Sequence, residues 1–162
     1  MMKYFDEDNG NYRNHGEGVK RKDEIIYMVP ESILVPSLIK ILFEYISSTD
    51  LNIIILSAIF HYYFVFIHPF SDGNGRCARF WVTLMLINYD KNFEFIPLEE
   101  EIYLNQENYY LAIAECHNNG NANVFIKFIL QTINSSLDKL IKNSNFVCNV
   151  IQNKIIELIA NN

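Results

Sequence analysis

The spacing of apolar residues divides the chain into a polar opening, one short extended stretch and a succession of helices. Residues 1–18 set Gly10, Gly16 and Gly18 among polar side chains and read as irregular. Glu24-Ile-Ile-Tyr-Met-Val29 then reads as a strand stopped by Pro30, and a small hairpin fits there. Beyond Pro36 the period turns helical, with Leu38, Ile41, Leu42 and Tyr45 at helical spacing. Ser48, Thr49 and Asp50 offer a cap for a second helix running to about Ile67. After a loop containing Pro69, Gly73 and Gly75, a third helix begins near Asn74 and carries Phe80, Leu84 and Ile87 on one side. Pro97 punctuates the segment after that helix, and further helices are expected near 105–118, 122–141 and 145–160. The fold class is mainly α with one β-hairpin.

Composition narrows the class of protein. With 162 residues, 50% of them hydrophobic, the chain can bury the core of one domain without disulfides or structural metal. Its one long apolar stretch, Ile53 to Ile67, is interrupted by Ser57 and His61 and falls short of the roughly 20 residues that span a bilayer, so it reads as a buried helix. Met1 to Asn11 is acidic and polar, unlike a secretory signal, which predicts a cytoplasmic protein with no membrane partner. Cys77, Cys116 and Cys148 are odd in number and too scattered for a disulfide framework or zinc pairs, so they read as reduced thiols. A net charge of -6 lacks the footprint that phosphate backbones require, which argues against nucleic acid as a partner. Lys20, Arg21 and Lys22 form the one basic cluster, either a solvated turn or a docking contact for an acidic partner.

The chemistry is concentrated in His68-Pro-Phe-Ser-Asp-Gly-Asn-Gly-Arg-Cys-Ala-Arg79, between two apolar helices. Gly73 and Gly75 permit backbone conformations closed to other residues, and they stand at the start of a helix whose dipole favours an anion. Arg76 and Arg79 lie three apart on the first turns of that helix, where their forks can grip phosphate oxygens. Asp72 offers a hard oxygen ligand beside this cradle, suited to magnesium bound jointly by a carboxylate and substrate phosphates. His68 titrates near neutrality and could take a proton from an attacking hydroxyl. Taken singly, the pieces also fit a plain Gly-Asn-Gly turn, a His–Asp capping pair and solvated arginines. The segment is neither a Walker A loop nor a Rossmann fingerprint. Residue chemistry therefore reaches an anion site with a candidate base.

The same segment matches every specified position of the Fic motif H-x-F-x-D/E-G-N-G-R-x-x-R, and the chain resembles the Fic (Fido) domain family in its AMP-transferring branch from about Tyr12 to Leu130. The resemblance implies a Fic-type helical bundle over residues 19–142 with a small β-hairpin flap, preceded by the irregular residues 1–18 and followed by a C-terminal helix over 143–162. It implies a protein adenylyltransferase with ATP as substrate and Mg2+ held by Asp72. His68 would deprotonate the target hydroxyl while Phe70 packs under the loop. Gly73, Asn74 and Gly75 would bind phosphates, with Asn74 at the α-phosphate, and Arg76 and Arg79 would hold the outer ones. Tyr109, Tyr110 and Asn118 resemble the adenine-side residues, with core packing as the competing role for the tyrosines. Val19 to Pro30 resembles the flap, whose edge pairs with the main chain of the target protein. His61, two helical turns before His68, is expected to support the site by packing.

Within that family the motif separates reactions. A kinase branch has Lys where Gly75 stands, and phosphocholine transfer goes with Ala where Gly73 stands. Removal of AMP, which reuses the base and metal site with a water-orienting glutamate, is the rival reading. A non-catalytic nucleotide-binding module is a third, disfavoured because base, acid and both arginines are present. Many relatives are held inactive by Ser/Thr-x-x-x-Glu-Gly/Asn, whose glutamate pairs with the arginine at the Arg79 position. No serine or threonine here has a glutamate four residues later; Glu17 and Glu107 are preceded at that spacing by Arg13 and Tyr103. The expectation is an active isolated chain, monomer or homodimer, whose inhibitory helix was cut away upstream, was lost, or is supplied by a small inhibitory partner protein.

Overall fold

The structure, a computed structural model, describes residues 10–21, 24–144, 155–157 and 159–160. Strands β1 (Gly18–Arg21) and β2 (Glu24–Met28) form an antiparallel two-stranded sheet. Gly18 faces Met28 and Val19 faces Tyr27, but Lys20 faces Ile25, so β2 carries one extra residue at a bulge. A 3-10 turn (Ser32–Leu34) leads into α1 (Val35–Ser48), followed by α2 (Ile53–Ile67), α3 (Asn74–Tyr89), a 3-10 stretch (Lys91–Phe95), α4 (Leu98–Leu104), α5 (Gln106–Asn119) and α6 (Asn123–Ser144). Beyond these, residues 155–157 and 159–160 are helical and most of the expected C-terminal helix, with Cys148, lies outside the described residues. The mainly α fold with a hairpin is as the sequence predicts.

The long apolar stretch forms α2, the central helix. It buries residues on every side, including Ser57 and His61, and packs against α1, α3 and α6. No helix among the described residues is long and apolar enough to cross a membrane.

Several local expectations are corrected. Strand β1 begins at Gly18, inside the segment read as irregular. Pro36 lies in the first turn of α1, where its missing N–H costs no helical bond. The cap of α2 is Asn52, whose side chain accepts from the Ile54 N–H at 2.9 Å, rather than Ser48, Thr49 or Asp50. In α3 the core side is Ala78, Val82 and Leu86, while Phe80 and Leu84 are exposed. Helix α4 is unexpected because seven residues are too few for a periodic signal. Its acidic first turn, Glu99 to Glu101, suits a helix N-terminus, and buried Leu98 and Ile102 dock it. Buried Glu101 also forms an ion pair with Lys139 of α6.

Candidate active site

The site is built where α2 ends and α3 begins. His68 caps α2 in the left-handed conformation, φ 51°, with its N–H donating to the Phe64 carbonyl at 3.0 Å. A non-glycine residue there costs ~1–3 kcal/mol and persists only when its surroundings over-determine it. Those surroundings are visible. The His68 ring places Nδ1 3.1 Å from the Val65 carbonyl, so Nδ1–H donates and Nε2 is the nitrogen left for chemistry. Burial lowers the His68 pKa; the Val65 bond and Asp72 oppose that shift, and Arg13 adds to it. The imidazole is neutral at neutral pH, as a base must be.

Between His68 and α3 the loop is clasped by Asn74. Its Oδ1 accepts from the Phe70 N–H at 2.9 Å and its Nδ2 donates to the Phe70 carbonyl at 2.6 Å. With 2% of Asn74 exposed, its side chain is spent on the loop and only its backbone N–H is left for a phosphate. Phe70 packs beneath the loop between Tyr12 and Phe64. Gly73 adopts φ 82° at the cap of α3, as a glycine can, and its N–H donates to Asp72 Oδ1 at 2.6 Å. Gly75 differs from expectation. It takes an ordinary helical φ, so no left-handed backbone calls for a glycine there, and a Cβ would stand 3.2 Å from Arg79 Nη1 one helical turn on.

The first turn of α3 leaves backbone N–H groups without intrahelical partners at the positive end of the helix dipole, an anion site by construction. Arg76 Nη2 donates to Asp72 Oδ2 at 2.9 Å, and Arg79 Nε donates to Glu99 Oε1 of α4 at 3.0 Å. The two arginines therefore face different carboxylates instead of one common ligand. Glu99 is an acidic partner of Arg79 that no four-residue spacing reveals, because the fold brings it across 20 positions. Asp72 presents oxygen atoms at an exposed position, and no group of three or more His, Cys, Asp or Glu clusters among the described residues. That donor set suits a hard cation completed by substrate phosphates, not a cage made by protein alone.

The residues on the nucleotide's expected adenine side separate. Tyr109 is buried, its hydroxyl 3.2 Å from His61 Nε2 and its ring against Phe125, so it packs in the core. Tyr110 is half-buried and Asn118 is exposed near the end of α5, and both keep access to a ligand. His61 is fully buried, and burial followed by the charge of Arg79 brings its pKa down to about 3. It is a neutral packing residue, as expected. Cys77 and Cys116 are free thiols.

Sequence reading misses Arg13 altogether. Its Nε donates to the His68 carbonyl at 2.7 Å, Nη1 to the His15 carbonyl at 2.8 Å, and Nη2 to the Pro30 and Ile67 carbonyls at 2.5 and 3.2 Å. Nothing in the spacing of an arginine among polar residues signals such a role. Nearby, His15 Nε2 lies 3.2 Å from Ser71 Oγ of the loop.

Comparison with known proteins agrees with this geometry. The Fic/DOC family profile matches residues 1–86. A protein adenylyltransferase Fic of Drosophila yakuba is 32% identical over 91 residues, 56% of this chain and 17% of that protein. Its counterpart in Drosophila willistoni is 33% identical over 91 residues, again 56% of this chain and 17% of the relative. A solved Fic family protein from Desulfovibrio desulfuricans G20 superposes with a TM-score of 0.83 at 33% identity, covering 91% of this chain and 46% of its own. The chain spans less than half the length of each of these relatives.

Proposed function

The chain belongs to the Fic/DOC family, and from that premise we propose that it is a protein adenylyltransferase, moving AMP from ATP onto a Ser, Thr or Tyr hydroxyl of a target protein. The observation that carries this reading is the orientation of His68. Its Nδ1–H is engaged by Val65, which leaves Nε2 as an acceptor on the residue that opens the loop leading into α3.

The reaction follows from these parts. The target hydroxyl oxygen attacks the α-phosphorus of ATP as its proton passes to His68 Nε2. The bond from the α-phosphorus to the bridging oxygen breaks, pyrophosphate departs, and AMP stays on the target oxygen. The N–H groups of the first turn of α3 meet the negative charge that the phosphates bring. Arg76 and Arg79 exchange their carboxylate partners for phosphate oxygens, so ATP competes with Asp72 and Glu99 for them. Asp72 would hold Mg2+, whose charge neutralises phosphate oxygens when it is bound. Most of the work is positioning and charge stabilisation.

Among the described residues the sheet has no strand beyond β1, so its edge is available to a target main chain adding as a third strand. Docking there would bring a hydroxyl toward the loop, since Val29 at the end of the hairpin bonds back to Glu17 and Pro30 is tied to Arg13.

Mass spectrometry of the protein incubated with ATP and magnesium tests the proposal. An AMP adduct on the chain or on a co-incubated protein is expected; ATP binding with no adduct anywhere would overturn it.

A further inference from the structure

We propose that Arg13 is the positioning residue that holds His68 in its working orientation and ties that orientation to the flap, an inference that rests on His68 being the base. The last carbonyls of a helix have no intrahelical partners and sit at the negative end of its dipole. At the end of α2, Arg13 supplies both the missing donors and the positive charge, bonding the carbonyls of Ile67 and His68. Its own backbone N–H donates to the Pro69 carbonyl at 2.9 Å, so consecutive residues around the left-handed turn are all held by one residue. Only 2% of Arg13 is exposed, which keeps water from competing for these carbonyls.

The same guanidinium reaches the flap. Nη2 donates to the carbonyl of Pro30, the residue that leaves the hairpin. A second link runs parallel to it. The Tyr27 hydroxyl of β2 donates at 2.8 Å to the Val65 carbonyl, the acceptor that also orients His68 Nδ1. Flap and base thus share their hydrogen bonds, and a hydroxyl held by the flap is kept in register with Nε2. A lysine could keep the charge but not these bonds, because one ammonium cannot span carbonyls in directions set by a planar fork.

The test compares Arg13→Lys and Arg13→Met with the unmutated chain. Arg13→Lys should lower the rate of AMP transfer at saturating ATP by about 10²-fold, the scale of an ångström-sized misplacement. ATP affinity by calorimetry should stay unchanged, and 15N spectra should show His68 no longer held as the Nδ1–H tautomer. Transfer at the original rate by Arg13→Lys, or loss of ATP affinity in proportion to rate, would overturn the inference. Should Arg13→Met fail to fold, the unmutated protein still decides: its Arg13 Nε–H must exchange slowly with solvent, and rapid exchange sinks the idea. His68→Ala separates the two readings. If that variant transfers normally, the base assignment fails and this inference with it; if it is inactive while Arg13→Lys is normal, only this inference fails.

Discussion

The two ends of the loop between α2 and α3 are held by different chemistry. At the His68 end every contact is to a backbone carbonyl, made by buried or half-buried groups: Arg13 to Ile67 and His68, His68 Nδ1 to Val65, Tyr27 to Val65. At the α3 end Asn74 clasps the loop backbone, but the arginines are held by ion pairs between side chains, Asp72 with Arg76 and Glu99 with Arg79, and three of those four side chains are more than half exposed. Backbone carbonyls move only if the fold moves, whereas exposed ion pairs are worth ~0–1 kcal/mol and exchange readily. A proton acceptor must be fixed before the substrate arrives; phosphate-binding arginines must be ready to let go of one anion for another. Under the proposed function, the contrast separates a pre-set base from a replaceable anion shell.

The largest effect should come from the rigid end. His68→Ala should reduce AMP transfer by ~10²–10⁴-fold, the usual worth of a general base, with ATP affinity by calorimetry nearly unchanged. Near-normal transfer would erase the division of labour between the two ends.

Asp72→Ala tests the exposed end. Transfer should fall by at least ~10²-fold and lose its dependence on magnesium, since the loop holds no second carboxylate. Retention of magnesium-dependent transfer would mean the cation is held elsewhere.

A third measurement uses pH. Burial lowers the His68 pKa from its ordinary value, so the neutral base persists into mildly acid solution. The transfer rate should be level through neutrality and fall only as pH drops below 6.5, when protonation removes the acceptor. Following the His68 ring by NMR in Asp72→Asn sharpens this, because Asp72 raises the His68 pKa and its loss should move the titration to lower pH.

The smallest effect belongs to Glu99→Gln, which frees Arg79. ATP should bind more tightly by no more than about fivefold, the ceiling for an exposed pair, as read by calorimetry. A gain of orders of magnitude would make Glu99 a lock rather than a place-holder.

Much of the fold and the loop is open to reading from residues alone. That α2, α3 and the hairpin exist follows from runs of apolar residues and from glycine and proline punctuation, which are local properties, whereas the buried side of α3 does not. His68, Asp72, Arg76 and Arg79 are legible because the loop packs its reactive groups into twelve consecutive positions. Tyr109 stays open between ligand and core in the sequence, because its position on α5 does not reveal which way a half-apolar ring turns; in the fold its hydroxyl meets His61 and its ring meets Phe125.

Residue order is enough for the local chemistry: which segments coil, where the chain breaks, and that His68, Asp72, Arg76 and Arg79 fall within one twelve-residue segment. Asp72 with Arg76 and His68 with Val65 are still neighbours along the chain, but the distant partners came only with the packed fold. Arg13 meets His68 across 55 positions, Glu99 meets Arg79 across 20, and Tyr27 meets Val65 across 38. Such pairs leave no spacing signal, because their distance is set by how α2, α4 and the hairpin pack and not by any period along the chain.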